Sequence, residues 1–318
     1  MNPRNKPKEI PSKLLEDYVH LYNINHTLQK PNNELELEAK FGTNTKIHKK
    51  PISKMDYDNV ARKFKSMGFT SDNETGMYRL SIQGYSLEKN TGEFRWSNVR
   101  TEIHSANAIQ LYCRTNSINK VFEQYKNQIV FTRKTLYNNT TNGELVKYFP
   151  IDFDDFNFRV SLNNEETNPS IKHHIIENWT STSKRFRFIN RVTFKHPDYP
   201  INVDLSIVKQ TSGDSAGYST IDESNIFNKP EKYEIELEIN NDNNTGFSTK
   251  KLLSLFKKTI KFVLSGLQDT NYPISNIEQN EIINSYKLLY KTNEPSNDKQ
   301  YPIFIGPSSR TLKMENIS

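Results

Sequence analysis

Residues 33–42 read Asn-Glu-Leu-Glu-Leu-Glu-Ala-Lys-Phe-Gly. Polar and apolar side chains alternate here, the pattern of a β-strand with two unlike faces. Glu34, Glu36 and Glu38 project to one side, Leu35 and Leu37 to the other. Like charges in a row on one strand face repel, so something positive is expected against that face. Late in the chain the pattern returns as Tyr233-Glu234-Ile235-Glu236-Leu237-Glu238-Ile239.

The runs between these two stretches behave similarly. Val130, Thr132 and Lys134 share a face, as do Arg159, Ser161, Asn163 and Glu165, opposite Phe158, Val160 and Leu162. Arg185 and Arg187 lie opposite Phe186 and Phe188. Asn202, Asp204 and Ser206 lie opposite Val203 and Leu205, and Asn98, Arg100 and Glu102 share a face. Two architectures satisfy this pattern. One is an antiparallel sheet with a solvated outer face. The other is a closed barrel with its charged faces inward, lining a polar tunnel, and its apolar faces covered by helices.

The chain has 318 residues, with 43 basic against 37 acidic side chains and a net charge of +6. A polyanionic partner is compatible with that balance but not required by it. Mean hydropathy is −0.79, yet 18 Phe and 16 Tyr supply side chains for a core. The lone cysteine, Cys113, excludes an internal disulfide framework and a Cys-ligated zinc site, so a reducing cytosolic compartment is the default. No apolar run suits a membrane span, and the N-terminal residues lack the apolar region of a secretory signal.

In chain order, a helix is expected from Pro11 to about Gln29, after a disordered lead over residues 1–10. The first acidic strand follows and stops at Gly42. A second helix is expected over Ser53–Met67, with Ser53 and Asp56 as caps and Gly68 as terminator. From Met77 to about Val208 nearly everything reads as short strands, including 94–103, 108–115 and 145–153. Residues 210–230 read as a flexible loop. Thr249–Gly266 is an amphipathic helix with Leu252, Leu255, Phe256, Ile260 and Val263 on one face and Lys on the other, expected as a lid on the barrel. Another helix is expected over Ile277–Tyr290 and a linker over 291–300. Trp96 and Trp179 flank strands, as packing or tunnel-mouth residues, with nucleotide stacking as the lesser alternative.

A tunnel holding carboxylate rows together with Arg and Lys has constrained chemistry. Carboxylate oxygens without His or Cys suit a hard cation, Mg²⁺ or Mn²⁺. Guanidinium and ammonium groups in the same lumen suit phosphate. Together they point to metal-dependent hydrolysis of a phosphoanhydride. No Walker-type phosphate loop occurs.

The motifs Glu36-Leu37-Glu38-Ala39-Lys40-Phe41-Gly42 and Glu234-Ile235-Glu236-Leu237-Glu238 resemble the paired glutamate motifs of the triphosphate tunnel metalloenzymes. The intervening strands look most like the RNA 5′-triphosphatases of fungal and large-DNA-virus mRNA capping enzymes, over roughly residues 30–265. The resemblance implies an α+β fold: a closed antiparallel β-barrel, the triphosphate tunnel, with flanking helices. It implies Glu36, Glu38, Glu236 and Glu238 as metal ligands and Arg100 as a phosphate contact, with Lys134, or Arg133 if the register slips, as a second. Arg159-Val160-Ser161 with Glu165 matches a further strand, making Glu165 the residue that activates water and Arg159 a phosphate contact. Arg185 and Arg187 match a basic pair in which Lys184 could take one place, and Asp204 matches an acidic position. Glu34 and Glu234 would orient basic neighbours. Two departures are an Arg where Lys is common in the basic pair and a long 210–230 loop.

The activity so implied is that of a polynucleotide 5′-phosphatase, removing the γ-phosphate of 5′-triphosphate RNA as the first step of mRNA capping. Inorganic triphosphate, polyphosphate or thiamine triphosphate hydrolysis is the alternative, and a non-catalytic barrel that binds nucleic acid or a partner is the non-enzymatic one. The expected organisation is a lead and helix over 1–30, the triphosphatase over 31–290, and a linker with the start of a guanylyltransferase domain over 291–318. The C-terminal YPIFIGPSSRTLKMENI resembles such a lead-in. The nucleotidyl-lysine motif itself is absent, since Lys54-Met55-Asp56-Tyr57 lacks its Gly. Guanylyltransferase and methyltransferase domains are therefore expected in a longer polypeptide or complex. The expected location is cytoplasmic, with a viral factory or virion as the alternative, and without membrane contact.

Overall fold

A computed structural model describes residues 11–26, 32–42, 51–87, 94–141, 144–211, 217–240 and 246–291. The elements are α1 (Pro11–Asn25), β1 (Asn33–Phe41), α2 (Lys54–Ser66), β2 (Met77–Leu87), β3 (Phe94–Trp96), β4 (Val99–His104), α3 (Ala106–Thr115), α4 (Ile118–Tyr125) and β5 (Ile129–Leu136). They continue with β6 (Asn138–Thr141), β7 (Glu144–Lys147), β8 (Ile151–Phe153), β9 (Phe158–Thr167), α5 (Lys172–Glu177), β10 (Ser183–His196) and β11 (Tyr199–Gln210). The last are α6 (Ile221–Ser224), β12 (Lys232–Ile239), α7 (Thr249–Gln268) and α8 (Asn276–Lys291). The expected lead over 1–10 and the tail over 292–318 lie outside the described residues.

The main sheet runs β1-β12-β11-β10-β2-β4-β5-β9-β8, and β1 also pairs with β9. That last pairing closes the ring. Setting aside β3 and β8, which hang off it, the ten-stranded sheet leaves a closed barrel of eight antiparallel strands. The expected α+β architecture is the one found. Closure puts the two acidic strands side by side, with Glu38 opposite Glu238 and Lys40 opposite Glu236. The hairpin β6–β7 forms its own small sheet.

Because side chains alternate along each strand, a closed ring sorts them into an inside and an outside. Here the outside is apolar. Leu35, Leu37, Ala39, Val160, Leu162, Val203, Leu205, Ile235 and Leu237 are buried in one cluster with Leu15 and Val19 of α1, Val60 and Phe64 of α2, and Leu252, Phe256, Ile260 and Val263 of α7. Each such fully buried side chain contributes roughly 1.5–3 kcal/mol. Ser53 caps α2 through a reciprocal box with Asp56. Gly266 of α7 lies so close to α2 that a Cβ there would sit 2.8 Å from the Val60 Cα, so a side chain would force the helices apart.

A second cluster covers the opposite flank, joining Leu80, Ile82, Ile103, Phe131 and Phe186 to Ile109 and Tyr112 of α3 and Ile118 and Val121 of α4. Here two expectations change. Residues 108–115 form helix α3, not a strand. Ala108, Ile109 and Tyr112 fall on one buried face, and Ser105 caps the helix by accepting from the Ala108 N–H. The segment expected as a loop at 210–230 is ordered over 217–230: Ile221 and Ile226 are buried against the same cluster, while 212–216 lie outside the described residues. The run 94–103 is split into β3 and β4, and 145–153 into β7 and β8.

The compact unit carrying the barrel ends at Pro273. A separate unit beginning at Ile274 holds α8, where Ile277 and Ile282 are exposed. Among the described residues no helix is long and apolar enough to cross a membrane.

Candidate active site in the barrel lumen

The inward parity of each strand delivers charge to one cavity of about 440 Å³. β1 contributes Glu36, Glu38 and Lys40, and β12 contributes Glu234, Glu236 and Glu238. Asp204 comes from β11, Arg187, Arg191 and Lys195 from β10, Arg79 from β2, Arg100 and Glu102 from β4, Lys134 from β5 and Glu165 from β9.

Along the acidic wall, cations and carboxylates alternate. Lys134 Nζ lies 2.5 Å from Glu36 and 2.8 Å from Glu38. Lys40 Nζ lies 3.3 Å from Glu38 and 3.0 Å from Glu236. Arg191 spends its whole guanidinium on this wall, donating to Ser206 Oγ at 2.9 Å, Asp204 at 2.7 Å and Glu236 at 3.0 Å. Thr193 donates to the other Asp204 oxygen at 2.6 Å, and Asn163 donates to Glu38 at 3.3 Å. Such a network is costly to break from one side, since removing one partner strands a buried charge.

Proton affinities follow from these contacts. Burial opposes ionisation of Glu236, but Lys40 and Arg191 outweigh it and hold the carboxyl well below its usual range. Burial also opposes ionisation of Glu102, yet His104 and Arg79 bring it down to about 2. Glu238 shows the reverse: burial, reinforced by Asp204, Glu38 and Glu165, pushes it up to about 7. Glu36 is raised by burial despite Lys134, and Glu165 is raised chiefly by burial.

The far end of the lumen is different. Ile82 pairs with Thr101 and Arg185 pairs with Gln83, so Arg185, Gln83 and Arg100 form one inward row across three strands. Arg100 and Arg185 make no ion pair among the described residues. Arg185 has its proton affinity lowered by burial and by the Arg100 charge. The Nε groups of Arg185 and Arg187 are buried without a hydrogen-bond partner. Arg187 is anchored instead through Nη2, 2.7 Å from Glu234.

The expected residues Glu36, Glu38, Glu236, Glu238, Arg100, Lys134, Glu165, Arg187 and Asp204 are thus gathered in one cavity. The register resolves the Lys134/Arg133 alternative: Lys134 faces inward, and Arg133 pairs with Glu166 away from the cavity. Two residues are corrected. Arg159, expected as a phosphate contact, does not line the cavity; Asp152 of β8 takes its guanidinium in two hydrogen bonds of 2.6 and 2.9 Å. Arg185 does not line the cavity itself but stands at its end, stacked on Trp96. Lys184, weighed for the basic pair, points outward and is buried, donating to the Thr182 and Ser219 carbonyls.

Lys40, Arg79 and Arg191 were missed. Their signal was parity: Lys40 continues the Glu34-Glu36-Glu38 face, and Arg191 continues the Arg185-Arg187 face.

A closed barrel that carries charge on its inside and apolar side chains on its outside is a tunnel barrel. No family model matches the chain, and no curated protein sequence matches it. Among solved structures it is similar to the Mimivirus capping enzyme triphosphatase, with a TM-score of 0.45 and 15% identity over 78% of this chain and 95% of that one. It is also similar to the Pct1 RNA triphosphatase of S. pombe, with a TM-score of 0.37 and 16% identity over 82% of this chain and 93% of that one. The same S. pombe protein in complex with the Spt5 CTD gives a TM-score of 0.36 and 15% identity over 83% of this chain and 97% of that one.

Proposed function

We propose that the chain is a divalent-metal-dependent RNA 5′-triphosphatase, removing the γ-phosphate from 5′-triphosphate RNA as the first step of mRNA capping. One observation carries the reading: a carboxylate wall on β1 and β12 shares an enclosed lumen with inward Arg and Lys from the remaining strands. An anion-binding barrel gains nothing from so many buried carboxylates, whereas phosphoryl transfer needs both signs of charge.

The donor set fits a hard cation. Glu36, Glu38, Glu236 and Glu238 offer only oxygen, and burial, reinforced by neighbouring carboxylates, raises the proton affinity of Glu238, an environment that a bound cation would relieve. Among the described residues no three such side chains form a ready cage; Lys40 and Lys134 sit between the glutamates. A bound Mg²⁺ or Mn²⁺ held by these four would supply neutralisation of the phosphoryl oxygens.

The chain's own groups do the rest. Arg100, Lys134 and Arg187 bind and orient the triphosphate. Asp204 positions Arg191 and Thr193 through the contacts above. Glu165, with its raised proton affinity, takes a proton from the attacking water. The new bond joins that water oxygen to the γ-phosphorus, and the bond to the β-phosphate bridging oxygen breaks. Orthophosphate and diphosphate-ended RNA leave. Residues 31–290 would form this catalytic domain, with guanylyltransferase and methyltransferase activities in the same polypeptide or complex, in the cytoplasm or a viral factory.

The test is phosphate release from γ-labelled triphosphate RNA with and without Mg²⁺ or Mn²⁺, alongside Glu38→Ala and Glu238→Ala. Release that needs the metal and both glutamates is expected. Release from tripolyphosphate but not from RNA would instead favour an inorganic triphosphatase.

A further inference from the structure

Arg185 ends the basic row of the lumen, and its guanidinium carbon sits 4.1 Å from the centre of the Trp96 ring. Trp96 belongs to β3, the short strand appended to β2 outside the barrel ring, where it pairs with Tyr85; the two rings are 4.8 Å apart. The indole is fixed from behind. A Cβ on Gly217, whose φ is +71°, would meet the ring at 2.8 Å, so this residue must be glycine for the indole to stay. Trp96 is nevertheless partly exposed. Thus a cation–aromatic stack, held by a strand off the closed ring, stands at the end of the inward row that carries Arg185 and Arg100.

Distance assigns it a ligand. Arg191, at the acidic wall, and Arg185 lie on the same strand face six residues apart, roughly 20 Å at about 3.3 Å per residue. That exceeds the reach of a triphosphate and matches a triphosphate with its nucleoside. An aromatic ring joined to a guanidinium plane is a platform on which nucleobases stack.

We infer that Trp96 and Arg185 form a stacking subsite for the first nucleobase of a triphosphate-ended polynucleotide, which enters from this end, γ-phosphate first. The inference rests on reading the lumen as a triphosphate site. It adds the direction of entry and a residue that separates nucleic acid from inorganic triphosphate. Stacking tolerates any base, so the subsite selects for a nucleoside without selecting a sequence.

Two arms test it on the full chain. In the first, the ratio of kcat/KM for triphosphate RNA over tripolyphosphate is measured for Trp96→Ala, Trp96→Phe and Arg185→Lys. The ratio is expected to fall roughly ten- to hundredfold in Trp96→Ala, to recover largely in Trp96→Phe, and to fall in Arg185→Lys, which keeps the charge but loses the plane. A ratio within twofold of the parent in both Trp96→Ala and Arg185→Lys overturns the inference. The second arm needs no turnover. The chain has two Trp, and Trp179 is buried, so Trp179→Phe leaves Trp96 as the reporter. ATP without divalent ions is expected to quench its fluorescence, and tripolyphosphate is not; equal responses overturn the subsite. Were the chain to hydrolyse neither substrate, the triphosphatase reading would fall while this arm still decided the stacking.

Discussion

The two ends of the lumen solve opposite problems. At the acidic wall, Lys40, Lys134 and Arg191 each touch two carboxylates. At the other end, Arg100 and Arg185 approach each other and neither makes a salt bridge among the described residues, although Glu102 and Glu165 feel the Arg100 charge. A buried charge network is part of the fold, because each member neutralises the next. Two neighbouring guanidiniums without a salt bridge keep hydrogen-bonding capacity for an arriving anion. The first end is built for integrity and a cation, the second for a ligand.

The largest effect expected from that contrast is on stability. Arg191→Ala leaves Asp204 with only the Thr193 hydroxyl and removes one of the two cations on Glu236, and should cost about 3–5 kcal/mol, read by denaturant unfolding. A loss under about 1 kcal/mol would mean that the acidic wall tolerates unpaired carboxylates and that the two ends are not so different. Next is Glu236→Gln, which keeps the shape and removes the charge. Phosphate release should drop on the order of 10²–10³-fold, and the measurement is initial rate at saturating metal.

The third test is pH. Burial pushes the Glu238 carboxyl up to about 7 in the fold from its ordinary 4.5. The folded state therefore holds a proton that the unfolded chain has lost across that window, so stability of the metal-free protein should fall as pH rises from about 4.5 to about 7. Glu238→Gln should lessen the fall over that range, with Glu36 and Glu165, also raised, accounting for the remainder; melting temperature against pH follows it, and an unchanged slope would assign it to those groups. The smallest effect belongs to Arg100→Ala. Removing one of two repelling cations should leave stability within about 0.5 kcal/mol of the parent, while RNA hydrolysis weakens. A large destabilisation would show that Arg100 holds the barrel together after all.

The barrel was legible because Glu-x-Glu-x-Glu leaves little choice of face, and its recurrence at 234–238 placed two such faces in one domain. Extending the same parity by one step from Glu38 finds Lys40, and by two steps from Arg187 finds Arg191. What parity could not give is depth. Arg159 and Arg185 lie on inward faces but near strand ends, where neighbouring elements decide what a long side chain reaches. Asp152 on β8 captures the first, and Trp96 on β3 captures the second, and both strands lie off the closed ring. Helix α3 was hidden for another reason. Its Ile, Tyr and Thr are good strand formers, and the spacing of Ala108, Ile109 and Tyr112 behind the Ser105 cap distinguishes it.

The pairing of β1 with both β9 and β12 also bears on how the chain reaches this state. Strand β1 is fully paired only late, for its second neighbour arrives with residue 232 and beyond. Until then the growing chain carries a curved sheet with two open edges, the condition that invites intermolecular strand addition. Contacts this distant in sequence form slowly. A truncation before β12 should therefore yield aggregates and not a weakened enzyme, and expression should depend more on chaperone supply than on any single side chain in the lumen.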